Sequence, residues 1–322
     1  MVYAYSTGKL KSKATVVLIA LLCLADMWSV NKRYLYDGQF VAKGTEMKPY
    51  LEPSETDKAI LKDKSLDYRV LNLAVNTFNE NNTAYWHKSI GGYHAAKLRR
   101  YQEMIEEHIH GEIDGIFSKL SEAKGDMAMV DSNAFPVLNM LNTRYFILPL
   151  QGGGTSPVFN PYSCGNAWFV SDVEYVDNAN EEIKALHRIN PLHTAVVDRR
   201  FAEQVRMSVA PDSVSTIVLK EYQPNALKYE VNSRSGGVVV FSEIYYPGWI
   251  STIDGEEVGH GRADYILRAM NVPKGKHVIE FRFEPQSIHT TETIAYIALA
   301  LLAIGVVWVM VSECKNVRYN HV

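Results

Sequence analysis

The sequence predicts an α+β membrane protein. Two transmembrane helices flank an extracytoplasmic mixed α/β region and a C-terminal antiparallel β-sandwich. Three observations predict it. Apolar runs with at most one charge lie near either end, at Ala14–Val30 and Thr293–Val311. Between about 31 and 210, helical and strand periodicities alternate. Beyond about 211 the period becomes two, with Gly- and Pro-containing turns between successive runs.

The first run reads ATVVLIALLCLADMWSV and carries a single charge, Asp26, near its far end. Its length is at the lower limit of about 17 residues for crossing a bilayer. Lys9, Lys11 and Lys13 would equally suit the basic region of a signal peptide, but no small-x-small cleavage site follows. Leu22 before Cys23 also opposes a lipoprotein site, so the uncleaved helix is the favoured reading. The second run, TIAYIALALLAIGVVWVMV, is free of charge; Lys315 and Arg318 follow it, whereas Glu284 and Glu292 precede it. Basic residues stay on the cytoplasmic side, which predicts an in–out–in topology. Lys32 and Arg33 stand against it on the first helix. Residues 1–13 and 312–322 are then cytoplasmic, 14–30 and 291–311 span a bacterial inner membrane, and 31–210 and 211–286 form the two extracytoplasmic parts.

Within the first part, Ser54-Glu55-Thr56-Asp57 forms a capping box opening a short helix through Leu61. Tyr68–Leu73 reads as a strand. Leu98, Tyr101, Ile105 and Ile109 recur at helical spacing, predicting a helix from about His94 to Ile109. Ala134–Leu141 and Asn178–Arg188 are further helices, and Arg144–Leu148 is a buried strand. In the second part, strands are expected at Ser215–Glu221, Leu227–Asn232, Gly237–Glu243, Trp249–Ile253, Tyr265–Ala269 and His277–Phe283. Ala167–Val170 and Ala195–Val197 are expected to complete its sheets.

Composition removes several function classes. The net charge is −3 with basic and acidic residues interspersed, which argues against a nucleic-acid binder. Cys164 is the one cysteine outside the terminal helices and tail, so no disulfide is expected in the extracytoplasmic part. Gly152-Gly153-Gly154 lacks the lysine and strand-to-helix context of a phosphate loop. His108 and His110, two apart on a helix, face different ways and read as exposed histidines at a helix end, not as a metal site. No Ser/His/Asp, Cys/His or paired-carboxylate arrangement is identifiable, and neither metal nor cofactor is expected. The 19 tyrosines suit a sugar-facing groove or sandwich packing.

Three places are candidates for function. Trp86-His87-Lys88 and Tyr93-His94 surround a Gly-Gly turn and lead into a helix bearing Lys97, Arg100 and Tyr101. Basic and imidazole groups at such a junction can receive a phosphate or an acidic sugar; a packed loop-to-helix junction is the alternative. Tyr246 and Trp249, in Tyr245-Tyr246-Pro247-Gly248-Trp249, can form an aromatic platform for a sugar ring, or Trp249 can fill the sandwich core while Asp254-Gly255 makes a hairpin turn. Asp26 in a membrane helix is either functional or solvated at headgroup depth.

The residues Ala25-Asp26-Met27-Trp28, the run from Trp86 through Ser89-Ile90-Gly91-Gly92-Tyr93-His94 to Arg99-Arg100-Tyr101, and Leu138 to Tyr145 carry a resemblance. So do Tyr246-Pro247-Gly248-Trp249 with Asp254-Gly255, and Val272 to His277. The chain resembles the C-terminal part of the bacterial YfhO family of membrane proteins, in a form typical of Bacteroidetes. That family is similar to the GT-C class of glycosyltransferases, some members of which decorate envelope polymers from polyprenyl-phosphate donors. The resemblance implies a longer protein with many preceding membrane helices, and a catalytic carboxylate in a part that this sequence does not contain. The expectation is a membrane-anchored module that assists binding or transfer of a lipid-linked sugar or envelope glycan. The alternative is a non-catalytic module packing on a multispanning membrane partner.

Overall fold

A computed structural model describes residues 5–40, 42, 52–206, 212 and 214–319, with side chains placed as far as 312. The extreme N-terminus, the boundary expected at 210/211 and the side chains of Lys315 and Arg318 lie outside the described residues. The chain divides into two compact units, residues 1–54 and 55–322.

The first unit holds α1 (Ser12–Tyr34), 23 residues long, with no buried residue. At about 1.5 Å per residue it is roughly 35 Å long, a little more than the apolar thickness of a bilayer. Val16, Leu21, Leu24 and Trp28 are all exposed, as is Asp26.

The second unit begins with α2 (Glu55–Ile60), pinned by the Thr56 hydroxyl donating to the Thr155 carbonyl at 2.8 Å. β1 (Arg69–Asn72) and β2 (Lys88–Ser89) follow. The helix expected over His94–Ile109 starts later and ends later. It comprises α3 (Arg99–Met104), a π-helical turn over Ile105–Ile109, and α4 (His110–Glu122). Leu98 is still extended, so the polar run before it stays a loop. Past Gly111, Ile113, Ile116 and Leu120 carry the apolar stripe onward against the core. His108 sits within the π turn and is buried. Its Nε2 pairs with the Ile183 carbonyl at 2.9 Å and its ring lies 4.1 Å from that of His187, which corrects its reading as an exposed residue at a helix end.

α5 (Pro136–Met140) is capped from a distance: the Glu112 carboxylate accepts from the backbone N–H of Val137 at 2.8 Å and Leu138 at 2.9 Å. β3 (Thr143–Pro149) and β4 (Thr155–Phe159) form a hairpin across the Gly152–Gly154 turn, where all three glycines have positive φ. β1 pairs in parallel with both β2 and β3, giving a mixed sheet in the order β2-β1-β3-β4.

Next come β5 (Ala167–Val170), β6 (Asp172–Val176), α6 (Ala179–Ala185) and β7 (Thr194–Asp198). Asn178 caps α6, its Oδ1 accepting from the N–H groups of Asn180 and Glu181. β5 joins β10, as expected, but Ala195–Val197 does not join those sheets. It lies in β7, which pairs in parallel with β6 as a separate two-stranded ladder. Period and β-branching identify a strand but not its partner.

The remaining strands are β8 (Thr216–Gln223), β9 (Ala226–Ser233), β10 (Gly237–Ile244), β11 (Trp249–Ile253), β12 (Glu256–Glu257), β13 (Gly261–Ala263), β14 (Leu267–Val272) and β15 (Gly275–Phe283). They form two antiparallel sheets, β13-β14-β10-β5 and β12-β11-β15-β9-β8. Val239, Phe241 and Met270 of the first share one buried cluster with Tyr229, Ile279 and Phe281 of the second. Phe241 contacts Tyr229 edge-on at 5.0 Å and Phe281 at 4.9 Å. Burying each such ring contributes about 1.5–3 kcal/mol. The Asp254-Gly255 turn has positive φ at both residues, 53° and 88°, as a two-residue hairpin between twisted strands requires.

The strand expected at Tyr265–Ala269 begins only at Leu267. Asp264 and Tyr265 carry φ of 48° and 71° and make the turn instead. They are held there by Val196, whose N–H donates to Asp264 Oδ1 at 2.8 Å, and by Glu182, whose Oε1 accepts from the Tyr265 N–H at 3.2 Å. α7 (Gln286–Tyr319) closes the unit, and its segment Gln286–Ser312 is long and apolar enough to cross a bilayer. The fold is thus α+β, with antiparallel sheets and an apolar helix near each end.

Candidate functional site

A cleft of about 460 Å³ forms where the Gly-Gly loop passes over β1 and the start of α3. Its shape follows from one close backbone approach. A Cβ on Gly91 would stand 1.9 Å from the Thr77 carbonyl oxygen, so only glycine permits this crossing. Gly92, with φ of 121°, then donates its N–H to that same carbonyl at 2.8 Å. Tyr93 N–H donates to Glu80 O at 3.2 Å and to Asn81 Oδ1 at 3.0 Å. The two loops are laced together before α3 begins.

Four of the eight residues singled out around this loop line the cleft: Tyr93, His94, Lys97 and Tyr101. Tyr93 and His94 are exposed at its rim. His94 Nδ1 accepts from the Ala96 N–H at 3.1 Å, which leaves the proton of the neutral ring on Nε2. Lys97 lies 5.4 Å from the Phe78 ring and has no ion pair among the described residues. Tyr101 donates its hydroxyl to the Ile90 carbonyl at 2.6 Å, and burial pushes its pKa up to about 12. It therefore acts as a fixed wall and not as a proton donor at neutral pH.

The other four lie elsewhere. His87 is buried and paired with Asp57 at 2.9 Å. Lys88 pairs closely with the buried Asp67 and covers the Tyr222 ring. Arg100 reaches Glu182 at 3.2 Å and the Tyr265 carbonyl at 3.1 Å. Trp86 is half-buried, one residue past a helical turn over Thr83–Tyr85. None of these four lines the cleft, and His87, Lys88 and Arg100 are held in ion pairs.

Arg69 and Phe78 also line the cleft and were not singled out in the sequence. Arg69, the first residue of β1, donates to the Leu141 carbonyl at 2.8 Å and to Ser242 Oγ at 3.0 Å, and faces Glu243 at 3.5 Å. Burial pushes the Glu243 carboxyl up, and Arg69 opposes that rise. Phe78 supplies the apolar wall. An arginine opening an otherwise apolar strand was the available signal for Arg69.

Tyr246 and Trp249 border a separate, smaller cavity of about 200 Å³ with Tyr245, Ser251 and His260. Trp249 packs partly into the core between the two antiparallel sheets, the Arg268 guanidinium 3.9 Å from its ring and Phe283 at 5.3 Å. Burial, helped by Arg268, pushes the His260 pKa down to about 4, so the ring is neutral. Arg268 is itself buried, as the second residue of β14, and was likewise missed.

No family model matches the chain, and no curated protein or solved structure matches it.

Proposed function

We propose that this chain is a membrane-anchored extracytoplasmic module of the YfhO-like kind, whose cleft binds an anionic saccharide and assists its transfer without supplying the catalytic base. In this reading α1 and α7 span the inner membrane in an in–out–in topology, and the two antiparallel sheets form a β-sandwich standing above α7. The anion is the phosphate of a lipid-linked sugar or the carboxylate of an acidic envelope glycan. One observation carries the reading: the cleft brings an ammonium with no ion pair among the described residues, Lys97, and an imidazole, His94, to aromatic walls, with Arg69 at its lining. Cations recognise the anion, and aromatic faces stack on the sugar ring.

The test is a titration of the full chain in nanodiscs with two probes, a polyprenyl-phosphate hexose and a glucuronic-acid oligosaccharide. A charge-assisted hydrogen bond contributes about 1.5–3 kcal/mol. Lys97→Ala and His94→Ala are therefore each expected to weaken binding of one probe about tenfold or more. Equal affinity in wild type and both variants, or no binding of either probe, overturns the reading. In that event a module that packs on a multispanning partner becomes the better description.

A further inference from the structure

The Tyr245–Trp249 segment is not absorbed by the cleft, and its position relative to α7 points to a second role. Gly248 touches the connection between β15 and α7: a Cβ there would stand 2.8 Å from Pro285 Cβ, and φ is 99°. The Glu284 N–H donates to the Gly248 carbonyl at 2.8 Å. Phe283 contacts both flanking rings, Tyr246 at 6.1 Å and Trp249 at 5.3 Å. On the other side, the Phe283 N–H donates to the Asn225 carbonyl at 2.9 Å, which brings the β8–β9 turn to the same level. The loop is therefore held at a fixed height beside the first residue of α7, and within it Tyr246, at 47%, and Pro247 are exposed.

The first turns of α7, Gln286 to Glu292, are exposed and, apart from Ile288, polar, and the uncharged run starts at Thr293. Seven such residues rise about 10 Å, comparable with a headgroup layer plus its hydrated edge. That places the loop at the outer boundary of the lipid headgroups, the depth at which tyrosine and tryptophan concentrate in membrane proteins.

We propose that the Tyr246-Pro247 tip rests on the lipid headgroups and sets the height of the antiparallel sheets above the bilayer. This rests on the membrane reading of α7. Glu256, which opens β12 and pairs with Ile253 at the far end of β11, is the natural control. It is exposed and lies about 15 Å further along the strand from α7.

The experiment places a single fluorophore on full-length protein in phosphatidylcholine vesicles, with Cys23, Cys164 and Cys314 replaced by alanine. The labelled variants are Tyr246→Cys, Glu256→Cys and, on α7, Ala300→Cys, with Pro247→Cys as an independent repeat of the first. Quenching is read with lipids carrying a nitroxide either on the headgroup or deep in the acyl chain. The expected result is several-fold stronger headgroup-nitroxide quenching at 246 and 247 than at 256, with Ala300→Cys quenched by the acyl-chain nitroxide. If Ala300→Cys responds to the deep nitroxide while 246 and 247 behave like 256, the loop does not touch lipid and the inference is overturned. If Ala300→Cys responds to neither, the membrane reading has failed and takes the inference with it.

Discussion

Replacing Glu182 by alanine tests whether buried charge pairing ties the β13–β14 turn to the rest of the second unit. Its side chain is fully buried. One oxygen is 3.2 Å from Arg100 Nη1 and 3.2 Å from Arg262 Nη2, and the other accepts from the Tyr265 N–H at 3.2 Å. After truncation Arg100 keeps the Tyr265 carbonyl and partial exposure, so it is re-solvated in part. Arg262, with a side chain only 9% exposed, keeps nothing nearer than Asp198 at 3.9 Å. Breaking a buried pair by removing one partner costs about 3–5 kcal/mol, because the other charge stays buried. For a chain of 322 residues that lowers Tm by roughly 4–7 °C, at about 2.1 cal/mol/K of unfolding entropy per residue. Thermal and urea unfolding of the full chain in detergent, followed by intrinsic fluorescence, measure it. The double change Glu182→Leu with Arg262→Met should recover part of the loss, since an apolar pair carries no desolvation cost. A Glu182→Ala loss below about 1 kcal/mol would refute the assignment of this carboxylate as the tie.

Burial, partly offset by the two N–H groups it caps, raises the Glu112 pKa from 4.5 to about 7. The folded state therefore holds this proton more tightly than the unfolded chain, a stabilisation fully present below about pH 4.5 and lost as pH rises through about 7. Relative to Glu112→Gln, wild-type stability should fall by about 3 kcal/mol between pH 4.5 and 8 in urea titrations, and parallel pH profiles would contradict it. Gly91→Ala forces main chain apart at Thr77 and should cost about 1–3 kcal/mol while disordering the cleft wall. Gly111→Ala, helical and with nothing within 4 Å of the added carbon, should instead stabilise by roughly 0.8–1 kcal/mol in the same melts.

The candidate site was legible only in part. Tyr93, His94, Lys97 and Tyr101 stood out because aromatic and basic residues crowd around Gly91-Gly92, and the fold brings these four to one cleft. His87, Lys88 and Arg100 carried the same local signal and are spent on ion pairs. Their partners Asp57, Asp67 and Glu182 lie 30, 21 and 82 positions away, beyond any local pattern. Arg69 was missed for a related reason: its partners Ser242 and Glu243 come from β10, across the unit.

By itself the sequence determined whatever depends on near neighbours. The long apolar runs of α1 and α7 are legible because a continuous uncharged stretch is a property of the chain alone. The Asp254-Gly255 turn and the Asn178 cap are legible because turn and cap chemistry acts within a few residues. Tertiary structure alone decided the parallel pairing of β7 with β6, the burial of His108 at a π turn and the left-handed backbone at Asp264 and Tyr265. Each depends on a distant group supplying a hydrogen bond or excluding water. Burial and pairing between remote segments are set by the whole packed unit, and residue spacing does not encode them.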